Sequence, residues 1–375
     1  MIAAGWRLLM RVLLCLLLVS LVTNAFQQRV TCQRLSPNKG YCDGEIYARA
    51  LFLSSNPARA ETQNICVLIE EDSDELSAEA KSIADTLGLP MLSTLEGNND
   101  IDSTGDETSV MTHALKLVPY ECSEDQEATF ALAIEPIGST TNTKVGKREK
   151  RKKPKSPPFY VDLCPPSNSK AGRRASGSSG KADLLVKAVA PGKGVATGEG
   201  AVVYDLTAGL GQDSLILSAN GAKQVTMVER HPIVAALLKD AMRRLQLTNS
   251  GLVEKLRFLE GDAREVLQIV NPTDCDVVYL DPMFPPRQKQ SAVRKGMTIL
   301  HGLLETHIPD QDDQESRTRE EQELLDAALQ VAKLRVVVKR PAKAPLLGDG
   351  STKPSHALTG SVNRWDVYVT KPPSA

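Results

Sequence analysis

Acidic residues close three apolar segments in the second half of the chain, at points where buried strands would end. Asp205 closes VVYD, Glu229 closes TMVE, and Asp262 follows LEG. In nucleotide-binding sheets, an acid at the tip of the second strand accepts hydrogen bonds from ribose hydroxyl groups. One such acid alone is typical of a solvated turn. Three at successive strand ends indicate a shared site for a ligand with hydroxyl groups or positive charge.

The turn after Asp205 is rich in glycine and leads into a predicted helix. Gly209 and Gly211 let the backbone approach a ligand closely, next to the free N–H groups of a helix N-terminus. The dinucleotide fingerprint GxGxxG is incomplete, because Ser214 stands where the third glycine would be, and this disfavours NAD and FAD. S-adenosylmethionine has a ribose and a cationic sulfonium, which suit acidic walls. It is therefore the predicted cofactor.

The stretch VVYLDPMFPPRQK supplies the candidate catalytic residues. The Asp281 carboxylate and a backbone carbonyl of the Pro282 turn would accept the hydrogens of a planar exocyclic amine and orient its nitrogen toward a methyl donor. Phe284 would stack on the base. The pattern therefore predicts methylation of a purine amine. The cations beyond the turn lie where a phosphate backbone would run, and they are Arg287, Lys289, Arg294 and Lys295.

Other basic residues leave two interpretations open. Arg173 and Arg174 lie in a Gly/Ser/Arg-rich loop that could wrap an RNA phosphate chain or serve as an ordinary linker. Lys339 and Arg340 end the apolar segment LRVVV, where they could bind RNA phosphate, the cofactor's carboxylate or a structural ion-pair partner. Residues 144–155 hold eight basic residues against one acid, which fits a solvated linker or a phosphate-contacting arm.

Composition limits the alternatives. The formal net charge of −1 means that any basic surface is local. The seven cysteines are spread singly without a CxxC pair, and the histidines show no ligand spacing, so neither a metal site nor a disulfide framework is predicted.

The order of elements predicts an α/β fold. From residue 200 onward, strand and helix patterns alternate, which indicates βαβ units and a mainly parallel, Rossmann-like sheet with ligands at the carboxyl ends of its strands. Residues 62–140 predict a small N-terminal α/β lobe. We assign 141–180 to a basic and Gly/Ser/Arg-rich linker and 181–375 to the catalytic domain.

The N-terminus is typical of a targeting address. Residues 1–25 combine two arginines, an apolar run at 12–22 and a small residue at Ala25, the order of a signal peptide, and the run is short for a membrane span. Residues 26–61 form a basic, acid-poor, transit-like segment. Together they resemble the bipartite plastid address of algae with secondary plastids. A mitochondrial presequence and a secreted protein are the alternatives, and no stable membrane association is expected after processing.

Three stretches resemble a known family. DLTAGLGQDSLILSANGAKQVTMVERHPIVAALLKDAM, VVYLDPMFPPRQKQSAVRKGM and RVVVKRP are similar to the bacterial small-subunit (16S) ribosomal RNA guanine-N2 methyltransferases of the RsmJ type. The resemblance spans residues 64–370 and implies the class I S-adenosylmethionine-dependent methyltransferase fold. Gln212 replaces a usual arginine, and GDA stands where small hydroxyl residues are usual. The cofactor contacts that the resemblance implies are Gln212, Asp213, Glu229, Arg230, Asp262, Ala263 and Asp281.

The resemblance implies methylation of a guanine N2 amine in organellar small-subunit rRNA, with the rRNA or the small ribosomal subunit as partner and a monomeric enzyme. It also favours an organelle over secretion, because the secretory lumen has no ribosomes. Two alternatives remain open. The chain could methylate another planar amine, such as adenine N6 or a protein glutamine, or it could be a non-catalytic rRNA-binding assembly factor.

Overall fold

The computed structural model of the chain describes residues 65–69, 74–93, 113–120, 129–136, 157–165, 168–176, 183–190, 200–282 and 314–370. All of them belong to one compact unit that runs from Ile46 to Ala375. The predicted signal peptide, the transit-like segment and the basic tract at 144–155 lie outside the described residues. Within the described ranges, no helix combines the length and the apolar composition that crossing a membrane requires.

A four-stranded sheet with the order β2-β1-β3-β4 lies in the region where the sequence predicts an N-terminal lobe. β1 pairs in parallel with β2 and β3, whereas β4 is antiparallel to β3. Ala80 and Ala84 lie one turn apart on the single described helix of this lobe and are both buried, because positions i and i+4 share a helix face. The elements are β1 (Ile65–Ile69), α1 (Asp74–Leu87), β2 (Met91–Ser93), β3 (His113–Tyr120) and β4 (Thr129–Pro136).

Part of the predicted linker is packed into the core. Phe159 exchanges two backbone hydrogen bonds with Ile134 of β4, at 2.7 and 2.9 Å. Val161 and Leu163 alternate with Phe159 and are 1% exposed. The period-two apolar pattern explains this packing. Two capped helices follow, α2 (Lys170–Ala175) after Ser169 and α3 (Leu184–Val189) after Asp183.

The second sheet has seven strands in the order β10-β11-β9-β8-β5-β6-β7. Strands β9, β8, β5, β6 and β7 are parallel, and β11 and β10 add an antiparallel edge. This arrangement confirms the prediction of a mainly parallel sheet. The strands are β5 (Val202–Asp205), β6 (Gln224–Glu229), β7 (Leu256–Glu260), β8 (Val277–Leu280), β9 (Arg335–Pro341), β10 (His356–Thr359) and β11 (Asn363–Val369).

Helices cover both faces of this sheet, so its strands are apolar on both sides. Along β8, Val277 and Tyr279 enter one hydrophobic cluster, whereas Val278 and Leu280 enter the other. All four residues are at most 1% exposed. The described helices that follow β5 are α4 (Gln212–Ala219), α5 (Pro232–Thr248), α6 (Ser250–Val253), α7 (Ala263–Ile269) and α8 (Gln314–Val331).

The order of the strands in the seven-stranded sheet indicates where a ligand would bind. The chain runs outward from β5 through β6 to β7, and then returns to the other side of β5 to add β8 and β9. The carboxyl ends of β5 and β8 therefore flank the point where the strand order reverses, which is where ligands bind in open α/β sheets.

Helix α5 joins the two sheets. Arg244 is 1% exposed, donates to Asp240 at 2.9 Å and to the Val161 carbonyl at 2.6 Å, and lies 4.5 Å from the ring centroid of Tyr120. Asp240 also accepts from the backbone N–H of Leu132 in β4 at 2.9 Å. A buried arginine with a carboxylate partner, a carbonyl and an aromatic face thus fixes the four-stranded sheet against the seven-stranded sheet.

Candidate active site

The turn after β5 requires glycine at two positions. Gly209 and Gly211 have φ values of +53° and +70°, a backbone region that other residues rarely adopt. A Cβ built on Gly211 would lie 2.7 Å from Leu238 Cδ1 and 3.3 Å from Leu163 Cδ2. The Gly211 N–H also donates to the Ala208 carbonyl at 2.8 Å. The turn is therefore tight, and it presents backbone in place of side chains at the edge of the sheet.

Glu229 ends β6 and holds this turn. Its Oε2 accepts from the Gly209 N–H at 2.9 Å, and its Oε1 accepts from the His231 N–H at 2.8 Å. Burial raises the pKa of Glu229 above its ordinary value, while the hydrogen bonds from His231 and Gly209 act in the opposite direction. Each carboxylate oxygen has a second lone pair, so Glu229 can still accept hydrogen bonds from ligand hydroxyl groups.

Asp281 approaches the same turn from the other side. It directly follows β8, and its backbone N–H donates to Thr207 Oγ1 at 2.6 Å. Its side chain is 37% exposed. Glu229 and Asp281 are thus attached to Gly209 and Thr207 of one turn, and the two acids that the sequence predicts to share a site flank it. Pro282 follows and is half-buried.

Lys339, in β9, joins two carboxylates. Its Nζ lies 2.6 Å from Asp281 Oδ2 and 2.7 Å from Asp213 Oδ2. Tyr279 donates its hydroxyl hydrogen to the same Asp213 oxygen at 2.6 Å. Burial acts to lower the pKa of Lys339, but Asp281 and Asp213 raise it overall, so the ammonium stays charged. The sequence leaves open a structural ion pair for Lys339, and the structure places the side chain in one.

Arg174 extends this network toward α2. Its guanidinium pairs with Asp183 and lies 4.0 Å from Asp213 Oδ1. The end of α2 is held by Asn220, whose amide donates to the Arg174 carbonyl at 3.0 Å. The prediction of an RNA contact for Arg174 is corrected accordingly, because its charge is used within the protein. Its neighbour Arg173 is exposed and donates to the Asn168 carbonyl.

Asp205 lies inside the protein and is not on the wall of the site. Its side chain is among the buried polar groups, at 1% exposure, and it accepts from Ser214 Oγ at 2.5 Å and from the Thr207 N–H at 3.3 Å. Burial raises its pKa to about 7. The prediction that Asp205 contacts the cofactor is therefore replaced by a positioning role. Ser214, which breaks the glycine fingerprint, is its partner.

Arg340 also requires correction. It is 2% exposed, donates to the carbonyls of Pro345 and Leu346 at 3.1 and 3.4 Å, and lies 3.9 Å from Glu321 Oε1 in α8. A side chain buried on the α8 side of the sheet does not reach an RNA phosphate. Arg340 instead fastens the loop after β9 to the sheet.

Asp262 caps α7 beside β6. It accepts from the Arg264 N–H at 2.8 Å and pairs with the Arg264 side chain, and Arg230 Nη1 lies 3.8 Å from its Oδ2. Burial acts to raise the pKa of Asp262, but the bonds from Arg264 and the charge of Arg230 lower it overall. Asp262 therefore remains a carboxylate, and Ala263 begins α7 behind it.

Several residues that support the site show no sequence pattern that predicts this role. Thr207, Ser214, Tyr279 and Arg264 act through partners distant in the chain or through a helix cap. Gln212 donates to the Asp162 carbonyl at 2.8 Å, a contact with the segment before α2. The remaining predicted residues, which are Phe284, Arg287, Lys289, Arg294 and Lys295, lie outside the described residues.

The donors and acceptors fit S-adenosylmethionine. Half-buried carboxylates at Glu229 and Asp262 can accept hydrogen bonds from hydroxyl and amino groups, and Asp281 presents a partly exposed carboxylate on the other side of the turn. A Cβ built on Gly209 would have only the Thr207 carbonyl oxygen within 4 Å, so the backbone of the turn is open to a ligand there. Such a site favours a ligand with a ribose and a positive charge.

Comparisons with known proteins identify the family of the chain. The family model described as "Putative SAM-dependent methyltransferase" matches residues 119–370. Ribosomal RNA small subunit methyltransferase J of Alteromonas mediterranea is 39% identical over 216 residues, which cover 58% of this chain and 76% of that protein. The protein of the same name from Tolumonas auensis is 42% identical over 219 residues, covering 58% and 79%. A solved SAM-dependent methyltransferase of Neisseria gonorrhoeae aligns with a TM-score of 0.49 at 24% identity, over 83% of this chain and 97% of that one.

The family model and the two relatives confirm the predicted family, the class I methyltransferase fold and S-adenosylmethionine as cofactor. The family model matches more than half of the chain, and the aligned residues cover more than two thirds of each relative's length. The chain therefore belongs to the ribosomal RNA small subunit methyltransferase J family of S-adenosylmethionine-dependent methyltransferases.

Proposed function

We propose that this protein methylates the N2 exocyclic amine of a guanine in the 16S-type rRNA of an organelle, with the rRNA or the small ribosomal subunit as substrate. The names of its relatives support small-subunit rRNA as the substrate. One observation supports an amine as the group that accepts the methyl. The Asp281 carboxylate is partly exposed beside the glycine turn, while its backbone is fixed by Thr207 and its Oδ2 by Lys339.

An exocyclic amine is a weak nucleophile, because its lone pair is delocalised into the ring. Asp281 would accept one amine hydrogen, orient the nitrogen and favour its pyramidal form as the new N–C bond develops. When bound, S-adenosylmethionine supplies a methyl group on a sulfonium cation, and the C–S electron pair stays on sulfur as the methyl leaves. The methylated nitrogen then loses a proton, which Asp281 can take and pass to water.

Other residues of the chain would bind the two substrates. Glu229 would hold the ribose of the cofactor, and Asp262 would accept a hydrogen from its amino or hydroxyl groups. Phe284 would stack on the guanine, and the cations from 287 to 295 would contact the RNA backbone. Arg173 and Arg230 add exposed positive charge among the described residues.

The activity is tested with small-subunit rRNA, labelled S-adenosylmethionine and analysis of the methylated nucleosides. We expect N2-methylguanosine from the wild-type protein and at least a 100-fold lower rate from Asp281→Ala, because the group that orients the amine is lost. Asp349→Ala, at an exposed acid, is the control. N6-methyladenosine or glutamine methylation would overturn the proposed substrate, and cofactor binding without transfer would favour an assembly factor.

Delivery to a plastid is the second part of the proposal, and the sequence at 1–61 supports it. A fluorescent fusion of these residues in an alga with secondary plastids should label the plastid. Labelling of mitochondria would select the alternative address, and secretion would contradict both.

A further inference from the structure

We propose that Lys339 is a positioning residue of the transfer site, whose ammonium holds one oxygen of Asp281 so that the other oxygen faces the substrate amine. This inference rests on the proposed function and deepens it. The sequence groups Lys339 with Arg340 among possible RNA contacts, whereas the structure places Lys339 between two carboxylates of the site.

Two contacts fix the position of Asp281, one at its backbone and one at its side chain. Its backbone N–H donates to Thr207 Oγ1 at 2.6 Å, and its Oδ2 lies 2.6 Å from Lys339 Nζ. No described residue donates a hydrogen bond to Asp281 Oδ1. The carboxylate is thus engaged at one oxygen, and the other is available to a ligand that enters from the 37% exposed side.

Lys339 is itself fixed. Asp213 Oδ2 lies 2.7 Å from its Nζ and also accepts from the Tyr279 hydroxyl group at 2.6 Å. The Lys339 side chain is 19% exposed, so a long and otherwise flexible cation has one orientation here. Asp213, on helix α4, therefore acts on Asp281 through Lys339.

The charge of Lys339 has a second effect. The ionised carboxylate is the stronger acceptor for an amine hydrogen, and only the ionised form can take the proton that the methylated nitrogen loses. Burial raises the pKa of Asp281, and Lys339 acts to lower it. Loss of the ammonium would therefore leave Asp281 protonated to a higher pH. Among the described residues, the charged or titratable groups that act on Asp281 include Lys339 and Arg340 from β9, Asp213 from α4, Asp205 from β5 and Tyr279 from β8.

The test is a titration of the Asp281 carboxyl group by 13C NMR in protein labelled at its aspartate carboxyl carbons. The signal is assigned by its absence in Asp281→Asn. In Lys339→Met we expect the midpoint to rise by about one pH unit or more, since an adjacent opposite charge lowers a carboxyl pKa by about 1–3 units. Lys339→Arg keeps the charge and should titrate near the wild-type midpoint. Lys343→Met, at an exposed lysine after β9, is the matched control.

Kinetics give an independent readout. The acid limb of the pH profile of kcat should move upward in Lys339→Met by the same interval as the NMR midpoint. If Lys339→Met does not fold, Lys339→Gln takes its place. An unchanged midpoint, or a lower rate with an unmoved acid limb, would overturn the positioning role. If the wild-type protein methylates no rRNA, the proposed function fails, whereas the NMR midpoints still decide whether Lys339 controls Asp281.

Discussion

Replacement of Asp205 by asparagine should make the free energy of unfolding less dependent on pH. Asp205 is 1% exposed, and burial raises its pKa from 3.8 to about 7. The folded state therefore disfavours the ionised form. A group whose pKa rises on folding contributes stability below its unfolded pKa, and this stability is lost as the pH rises through the folded pKa. The stability that Asp205 contributes is therefore lost between about pH 4 and about pH 7.

The size of the effect follows from the shift. At about 1.4 kcal/mol per pH unit, a shift from 3.8 to about 7 corresponds to roughly 4 kcal/mol lost across this pH range. Asparagine does not titrate. Its oxygen can accept from the Thr207 N–H and its amide can donate to Ser214 Oγ, the pattern that a protonated aspartate would form. The variant should thus lose less stability than the wild type between pH 4 and pH 7.

Urea unfolding at half-unit steps from pH 4 to pH 8 measures this difference. The free energy of unfolding of Asp205→Asn, relative to wild type, should increase with pH up to about pH 7 and then stay level. Glu254→Gln, at an exposed acid just before β7, is the matched control. A constant difference for Asp205→Asn would refute the reasoning, since Asp205 would then be ionised throughout and stabilised by partners other than Ser214 and Thr207.

Three further substitutions test the site and its support. Glu229→Gln places an amide group opposite the N–H donors of Gly209 and His231, so S-adenosylmethionine affinity by calorimetry should fall by at least about 10-fold; unchanged affinity would contradict a role for Glu229. Gly211→Ala should lower the free energy of unfolding by about 1–3 kcal/mol, because a Cβ meets Leu238 at 2.7 Å and φ is +70°, and an equally stable variant would show that the turn can shift. Arg244→Met should cost about 3 kcal/mol in urea unfolding, since Asp240 loses its buried partner, and a smaller loss than Arg243→Met, at an exposed arginine, would contradict that account.

The parallel sheet and the acidic turn were predictable because both depend on local patterns. Alternating strand and helix signals fix the sheet type, and glycine beside a strand-end acid indicates the turn. The exposure of each acid was not predictable. Asp205 is the last residue of β5 and still pairs with Met227 and Tyr279 on its two sides, so its side chain is enclosed. Asp281 lies one residue beyond β8, and this single step brings its carboxylate to the rim.

The sequence does not reveal which residues contact the acids, because it does not specify the order of the strands in the sheet. Lys339 is 58 residues from Asp281 and 126 from Asp213, and these groups meet only because β9 lies beside β8 while α4 covers the same face. The segment FYVDL, from residue 159, has the pattern of a short strand but was assigned to the linker. It follows a strongly basic tract, and the composition of that tract dominates the region.

The consecutive cations of β9 show how strand geometry divides chemistry between the two faces of a sheet. Side chains alternate along a strand, so Lys339 lies on the face of Val337, toward α4 and Asp213, and Arg340 on the face of Val338, toward α8 and Glu321. Their spacing of one residue therefore separates a residue of the site from a structural one. Neither charge is left for RNA in this arrangement. On the proposed function, RNA binding would then depend on other cations, such as the exposed Arg173 and the basic residues that follow Pro282 in the sequence.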